Sequence, residues 1–291
     1  MSSALESLPE ADYGNQIKGP SALGSDRRRL LRLTWTLAVT DFKLRFFGSV
    51  LGYLWQLMRP LMMFGILYLV FSVFLSFNGN VQYYSVGLLT GIVLFTFLGD
   101  ATSGAVKSIV NRENLVRKIE FPRLAVPMAQ VLQGLFNLGL NMLPVFVFYF
   151  ASGGSPRWQW IELPLIVLVF GIFVSGLAML LSSLYVRARD VDPIWDVVMQ
   201  AMFYATPIFY TLDVVRDKTG STHVPQILVS NPFAAILQQF RNALLGPTWE
   251  TASKVYGSAW GLLIPLSIVL VTVVVGSWVF VRQAPLVAEE L

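Results

Sequence analysis

The feature that most constrains this chain is a series of apolar runs, each near the length needed to cross a bilayer. Residues 257–281 contain no charged side chain, and 161–186 are nearly as apolar. A hydrocarbon core is about 30 Å thick and a helix rises about 1.5 Å per residue, so about twenty apolar residues cross it. Peptide groups in hydrocarbon must be satisfied internally, which makes each run a helix. Charged residues make up 13% of the 291, about half the share in soluble domains. With a mean hydropathy of +0.62, the chain reads as an all-α polytopic membrane protein.

Six transmembrane helices are expected, over 53–77, 84–107, 124–150, 161–186, 193–212 (kinked at Pro207) and 257–281. Residues 1–26 are polar, carry Glu6, Glu10 and Asp12, and lack the apolar stretch of a signal peptide. They are expected to be a mobile cytoplasmic tail. Gly19 to Ser25 has the outer spacing of a phosphate-binding loop but lacks its lysine and preceding strand. Residues 27–48 are amphipathic. Leu31, Trp35, Ala38, Val39, Phe42 and Phe46 share one helical face, whereas Arg29, Arg32, Thr36, Thr40 and Lys43 share another. That pattern suits an N-terminal interface helix lying along the membrane surface. Residues 213–256 break the rhythm. Their apolar part, from Asn231 and Pro232 to Gly246, is short for a span and contains Arg241. A re-entrant or interfacial external segment before the last span is expected. Residues 283–291 form a second cytoplasmic tail.

The charges set the orientation. Basic residues cluster in 27–45, in Lys107, Arg112, Arg117, Lys118 and Arg123, and at Arg187, Arg189 and Arg282, while the first two opposite loops hold Arg157 alone. The positive-inside rule puts both termini in the cytoplasm. The third outer segment weakens the bias with Arg216, Lys218, Arg241 and Lys254. The net charge of +4 then reports topology rather than nucleic-acid binding. The loop over 107–123 is the densest polar block between apolar runs. It either anchors topology or receives a push from a soluble partner.

Little chemistry is available. There is no cysteine, and His223 stands alone, so no catalytic residues and no metal site are expected. The chain has no P-loop with its lysine, so any ATP-driven work requires a separate subunit. Asp100 interrupts the second span late; it either lines a pathway or pairs with Lys107 or Arg59, because a charge at mid-membrane costs about 2.5–3.5 kcal/mol. Arg59 sits beside Pro60 near the start of the first span. Arg241 faces the same cost; it contacts an anionic substrate group or pairs with a local carboxylate. Asp190, Asp192 and Asp196 flank the start of the fifth span, where a helix dipole favours carboxylates.

Four stretches carry a family resemblance: Ser49 through Gly52 and Trp55 to Pro60, Asn114 to Pro127, Arg187 to Val191 with Pro207 to Tyr210, and Asn231 to Gly246. In this order they resemble ABC-2 type permeases of polysaccharide exporters, which move O-antigen, capsule or teichoic acid. Arg59 departs from the polar residue frequent there. The resemblance implies a transmembrane permease subunit of an ATP-driven exporter for a lipid-linked polysaccharide, in a bacterial plasma membrane. It implies a homodimer, two copies of an ABC ATPase carrying ATP and Mg, and no cofactor on this chain. The loop 107–123 becomes a coupling element, with Asn114, Leu115, Arg117, Lys118, Glu120 and Phe121 facing the ATPase. The segment 213–256 becomes an external gate, marked by Asn231, Pro232 and Arg241. A sliding sugar polymer favours aromatic faces, so Phe74, Phe95, Tyr204 and Tyr210, with Arg59 and Asp100, are candidates for the path; Phe71, Phe97 and Phe203 join them, and packing or lipid contact is the competing role for each aromatic. A drug or lipid exporter of the same superfamily is the alternative. An ion-coupled carrier or membrane enzyme needs more intramembrane acids, bases or histidines than this chain has.

Overall fold

The computed structural model describes residues 27–46, 50–75, 81–112 and 122–283, and every regular element among them is helical. Five helices are long and apolar enough to span a membrane: Leu54–Phe74, Tyr84–Ser108, Ala125–Ala151, Trp158–Arg187 and Ala259–Gln283. They match five of the six expected spans.

Helix α1 (Arg27–Phe46) lies against the bundle. Its packed face is centred on Ala38, which is fully buried, while Leu31 and Trp35 stay largely exposed. Trp35 and Phe42 meet Phe136 edge-on, with centroids 5.6 and 5.7 Å apart. Helix α2 (Val50–Tyr68) tolerates Pro60 in its interior and continues as a π-helical turn over Leu69–Phe74, where Leu75 N–H bonds back to Val70. Little of this first span is covered by the rest of the chain.

Helix α3 (Tyr84–Ser108) is the centre. It packs on α4 (Ala125–Ala151) and α5 (Leu163–Arg187), and most of its side chains are buried. Its threonines hide their hydroxyls by donating to carbonyls one turn back, as in Thr90 to Val86 (2.7 Å) and Thr96 to Ile92 (2.8 Å). Helix α5 crosses the last span, α11 (Leu263–Gln283), at a glycine pair. A Cβ on Gly276 would fall 2.2 Å from the Gly176 carbonyl oxygen, so only glycine permits this approach.

The fifth expected span takes another form. Helix α6 (Val191–Ala205) stops before Pro207 rather than kinking there. Fifteen residues give about 22 Å of helix, short of the hydrocarbon thickness. Residues 206–210 continue as irregular, largely buried backbone. Four short helices follow: α7 (Leu212–Thr219), α8 (His223–Ser230), α9 (Pro232–Leu245) and α10 (Ala252–Tyr256). Helix α9 is inserted into the bundle. Phe233 is fully buried, with ring centroids 5.6 Å from both Phe95 on α3 and Phe170 on α5. At 14 residues α9 is too short to cross the hydrocarbon as a helix.

Candidate functional site

Helices α2, α3 and α6 border an open cavity of about 680 Å³. Arg59, Phe95, Asp100, Phe203 and Tyr204, all candidates from the sequence, line it together with Thr96, Ser103, Asp196 and Gln200. Four candidates stand elsewhere: Phe74 is 71% exposed on the first span, Tyr210 packs on Phe209 at 5.2 Å and donates its hydroxyl to the Tyr204 carbonyl at 3.3 Å, Phe71 packs on Phe209 at 4.3 Å, and Phe97 is buried against Phe170 at 4.9 Å. The additional polar lining has a legible signature. Asp196, Gln200 and Tyr204 recur every four residues on α6, and Thr96, Asp100 and Ser103 follow helical spacing on α3.

Asp100 forms the wall between this cavity and a second of about 300 Å³, lined by Arg45, Gln130, Gln133 and Asn137. Gln56 hydrogen-bonds to the Asp100 carboxylate, and Arg45 and Arg59 are the cations that act on it. Lys107, the other expected partner, instead pairs with Asp192 at 2.7 Å, tying the end of α3 to the start of α6. Asp190 occupies the N-cap position of α6 without making a side-chain cap bond. The Asn137 side-chain oxygen is buried with no hydrogen-bond partner among the described residues.

All six residues expected at the coupling surface, Asn114, Leu115, Arg117, Lys118, Glu120 and Phe121, lie outside the described residues. Both flanks of that segment are described. Arg112, at the end of a 3-10 turn (Val110–Arg112), forms an ion pair with Asp41 of α1. Gln130 of α4 donates to the same carboxylate at 3.3 Å. Arg123, on the other flank, is 2% exposed, and burial lowers its pKa. Asp41 thus joins three elements: the interface helix, the entrance to the loop and the third span.

At the opposite end, Arg241 is fully buried. Carbonyl oxygens take its N–H groups, in place of the expected carboxylate or substrate anion. Nε donates to Gly87 O (3.0 Å), Nη1 to Pro207 O (2.6 Å) and Nη2 to Ile208 O (2.6 Å). Its guanidinium carbon lies 4.6 Å from the centroid of the Trp249 ring, a distance at which an aromatic face attracts a cation. The Trp249 indole donates to Gln82 O at 3.0 Å, and the Tyr84 hydroxyl donates to Phe209 O at 2.6 Å. Irregular backbone at membrane depth is tolerated where protein buries it and satisfies its polar groups; Arg241 and Tyr84 do this for 207–209. Glycine leaves the room: a Cβ on Gly91 would come within 2.6 Å of Arg241 Nη2, and one on Gly87 within 2.2 Å of Trp249. Asn231 caps α9 by accepting from Phe233 N–H at 3.0 Å, and Pro232 takes the first turn, where a missing N–H costs nothing. Outside this knot, Arg216 of α7 forms two bonds with Glu250 (2.8 and 3.3 Å) and pairs with Asp213 at 3.4 Å. Glu250 raises the Arg216 pKa, while burial, helped by the Glu250 charge, raises that of Asp213.

Two comparisons bear on this arrangement. The family model described as ABC-2 type transporter matches residues 32–245. An O-antigen export system permease protein RfbA of Klebsiella pneumoniae is 29% identical over 220 residues, 74% of this chain and 82% of the relative. The protein of the same name in Myxococcus xanthus is 25% identical over 206 residues, 71% of this chain and 77% of the relative.

Proposed function

From the premise that this chain belongs to the ABC-2 type transporter family, we propose that it is the membrane permease subunit of an exporter for a polysaccharide. The observation that carries this reading is the likeness to O-antigen export permeases along about three quarters of the chain. The substrate is a glycan carried on a lipid. The work comes from an ABC ATPase on a separate chain, which binds ATP and Mg; this chain holds neither.

The cavity between α2, α3 and α6 supplies the path. Aromatic faces at Phe95, Phe203 and Tyr204 stack on sugar rings without fixing register, and Asp100, Arg59 and Gln200 exchange hydrogen bonds with hydroxyls. Arg59, Asp196 and Gln200 are exposed in a single copy. A charge facing lipid costs about 2.5–3.5 kcal/mol, so this face requires water and a second copy to cover it, which makes the working unit a homodimer. The loop 107–123, through Asn114, Leu115, Arg117, Lys118, Glu120 and Phe121, receives the two ATPase subunits on the cytoplasmic side of a bacterial plasma membrane. Both chain termini lie on that side. Asp41 and Lys107 support this reading, because their ion pairs tie the loop's entrance to α1 and α6. The segment 213–256, held by Arg241 and capped by Asn231 and Pro232, closes the external side.

Deletion of the gene tests the function. Loss of a surface glycan with accumulation of its lipid-linked precursor on the inner leaflet is the expected result, restored by the wild-type chain. An unchanged surface glycan, with lost efflux of a drug or lipid instead, contradicts it.

A further inference from the structure

Away from the path, α5, α9 and α11 leave a cavity of about 290 Å³ open to the outside of the bundle. Its wall is apolar, with Leu165 and Val169 on α5, Ile236 on α9, and Leu266 and Val269 on α11. Two polar groups stand at one end, where Gln239 of α9 donates to Glu162 Oε2 at 3.3 Å. Among the described residues no basic side chain lines the cavity. Glu162 closes the 3-10 turn Trp158–Glu162 that leads into α5, and a matching turn, Ala259–Leu262, leads into α11. Trp158 in the first turn and Trp260 in the second are 83% and 79% exposed. Exposed tryptophans in pairs of this kind sit at headgroup level. The cavity therefore has its carboxylate at the membrane surface and its apolar wall below it. From Glu162 to Val169 along α5 the drop is about 10 Å, well inside one leaflet.

We propose that this groove is a binding site for a membrane phospholipid with an amine headgroup: one acyl chain lies along Leu165, Val169 and Leu266, and the ammonium donates to Glu162. Charge complementarity selects the occupant. A carboxylate can accept about four hydrogen bonds, and Gln239 takes one. An anionic headgroup meets repulsion at the same place. The bound chain fills the space between α5 and α11 and braces α9, the helix that carries Arg241. The inference does not depend on what the protein exports.

The test is native mass spectrometry of the full chain taken from vesicles holding phosphatidylethanolamine and phosphatidylglycerol in equal amounts. Wild type retains one phospholipid per chain, with a preference for phosphatidylethanolamine of about fivefold, the size expected of a half-exposed ion pair. Glu162→Gln still retains a phospholipid but loses the preference. Leu165→Trp and Leu266→Trp, at lipid-facing positions that accept bulk, each lower retention of both lipids about tenfold by filling the groove. Equal retention of the two lipids by wild type, a preference that survives Glu162→Gln, or retention unchanged by either tryptophan overturns the proposal. So does a second copy of the chain cross-linked at Leu266 in place of lipid.

Discussion

At Arg241 a full positive charge is held inside the bundle by three carbonyl dipoles and one indole face. Leaving a buried acceptor unpaired costs about 1–3 kcal/mol, so Arg241→Met, which leaves the Pro207 and Ile208 carbonyls without a donor, should lower the thermal midpoint of the purified chain by about 10 °C. Arg241→Lys should recover little, because a point charge cannot reproduce the planar fork. Sequence made Arg241 conspicuous but could not name its partners. Backbone carbonyls at 207 and 208 have no side-chain signature, whereas Pro207, which stops α6, was visible. The same limit applies to Lys107: spacing offered Asp100, and the fold supplied Asp192. Asp213 gives a pH-dependent test. Its folded pKa lies above the ordinary value of about 3.9, so the stability tied to its proton is fully present below pH 3.9 and is lost as pH rises through the folded value. Asp213→Asn should therefore match wild type near pH 3.5 and exceed it modestly at pH 7, as read by thermal melts at both pH values. The reverse order would remove desolvation as the dominant effect there.

Among the elements, α1 was legible as an amphipathic helix, and its packed face was legible in part. Of the expected apolar face, Ala38 is fully buried and Trp35 and Phe42 meet Phe136, but Leu31 stays largely exposed, and charged Asp41, which the apolar pattern did not include, joins the contact. Periodicity ranks residues by polarity, and close packing here depends on size and on one ion pair. Asp41 gives the element-scale prediction. Its pair with Arg112 is mostly shielded from solvent, yet breaking it should cost the fold only about 1 kcal/mol. Asp41→Asn should leave assembly and ATPase turnover of the exporter near wild type while glycan export falls about fivefold. Combining Asp41→Arg with Arg112→Asp should restore export, by returning a pair of opposite sign between α1 and the loop. If Asp41→Asn exports normally, α1 and the loop are not mechanically joined. The short α6 was the element least available to sequence. Its apolar run continues to Leu212, and Pro207 marks a kink or a stop equally well; what makes it a stop is Arg241, which satisfies the 207 and 208 carbonyls from another element.

For the whole molecule, apolar runs fixed the membrane class and five of the spans, and the fold brings five of the path candidates onto one cavity. Which of the many exposed faces meets lipid, water or a second copy depends on polar groups gathered from α2, α3 and α6, which are distant in sequence. The central claim is that this gathering of Arg59, Asp100, Gln200 and Tyr204 forms a hydrated path rather than a lipid-facing groove. The chain contains no cysteine, so single cysteines can be read without background. Tyr204 and Leu270 are similarly exposed in one copy, at 66% and 64%, but Leu270 lies on α11, away from the cavity. In the assembled exporter in membranes, Tyr204→Cys should react with a charged, water-soluble thiol reagent at least about tenfold faster than Leu270→Cys, since the thiolate that reacts needs water. Equal, slow reaction at both positions would contradict the account and return this face to the lipid.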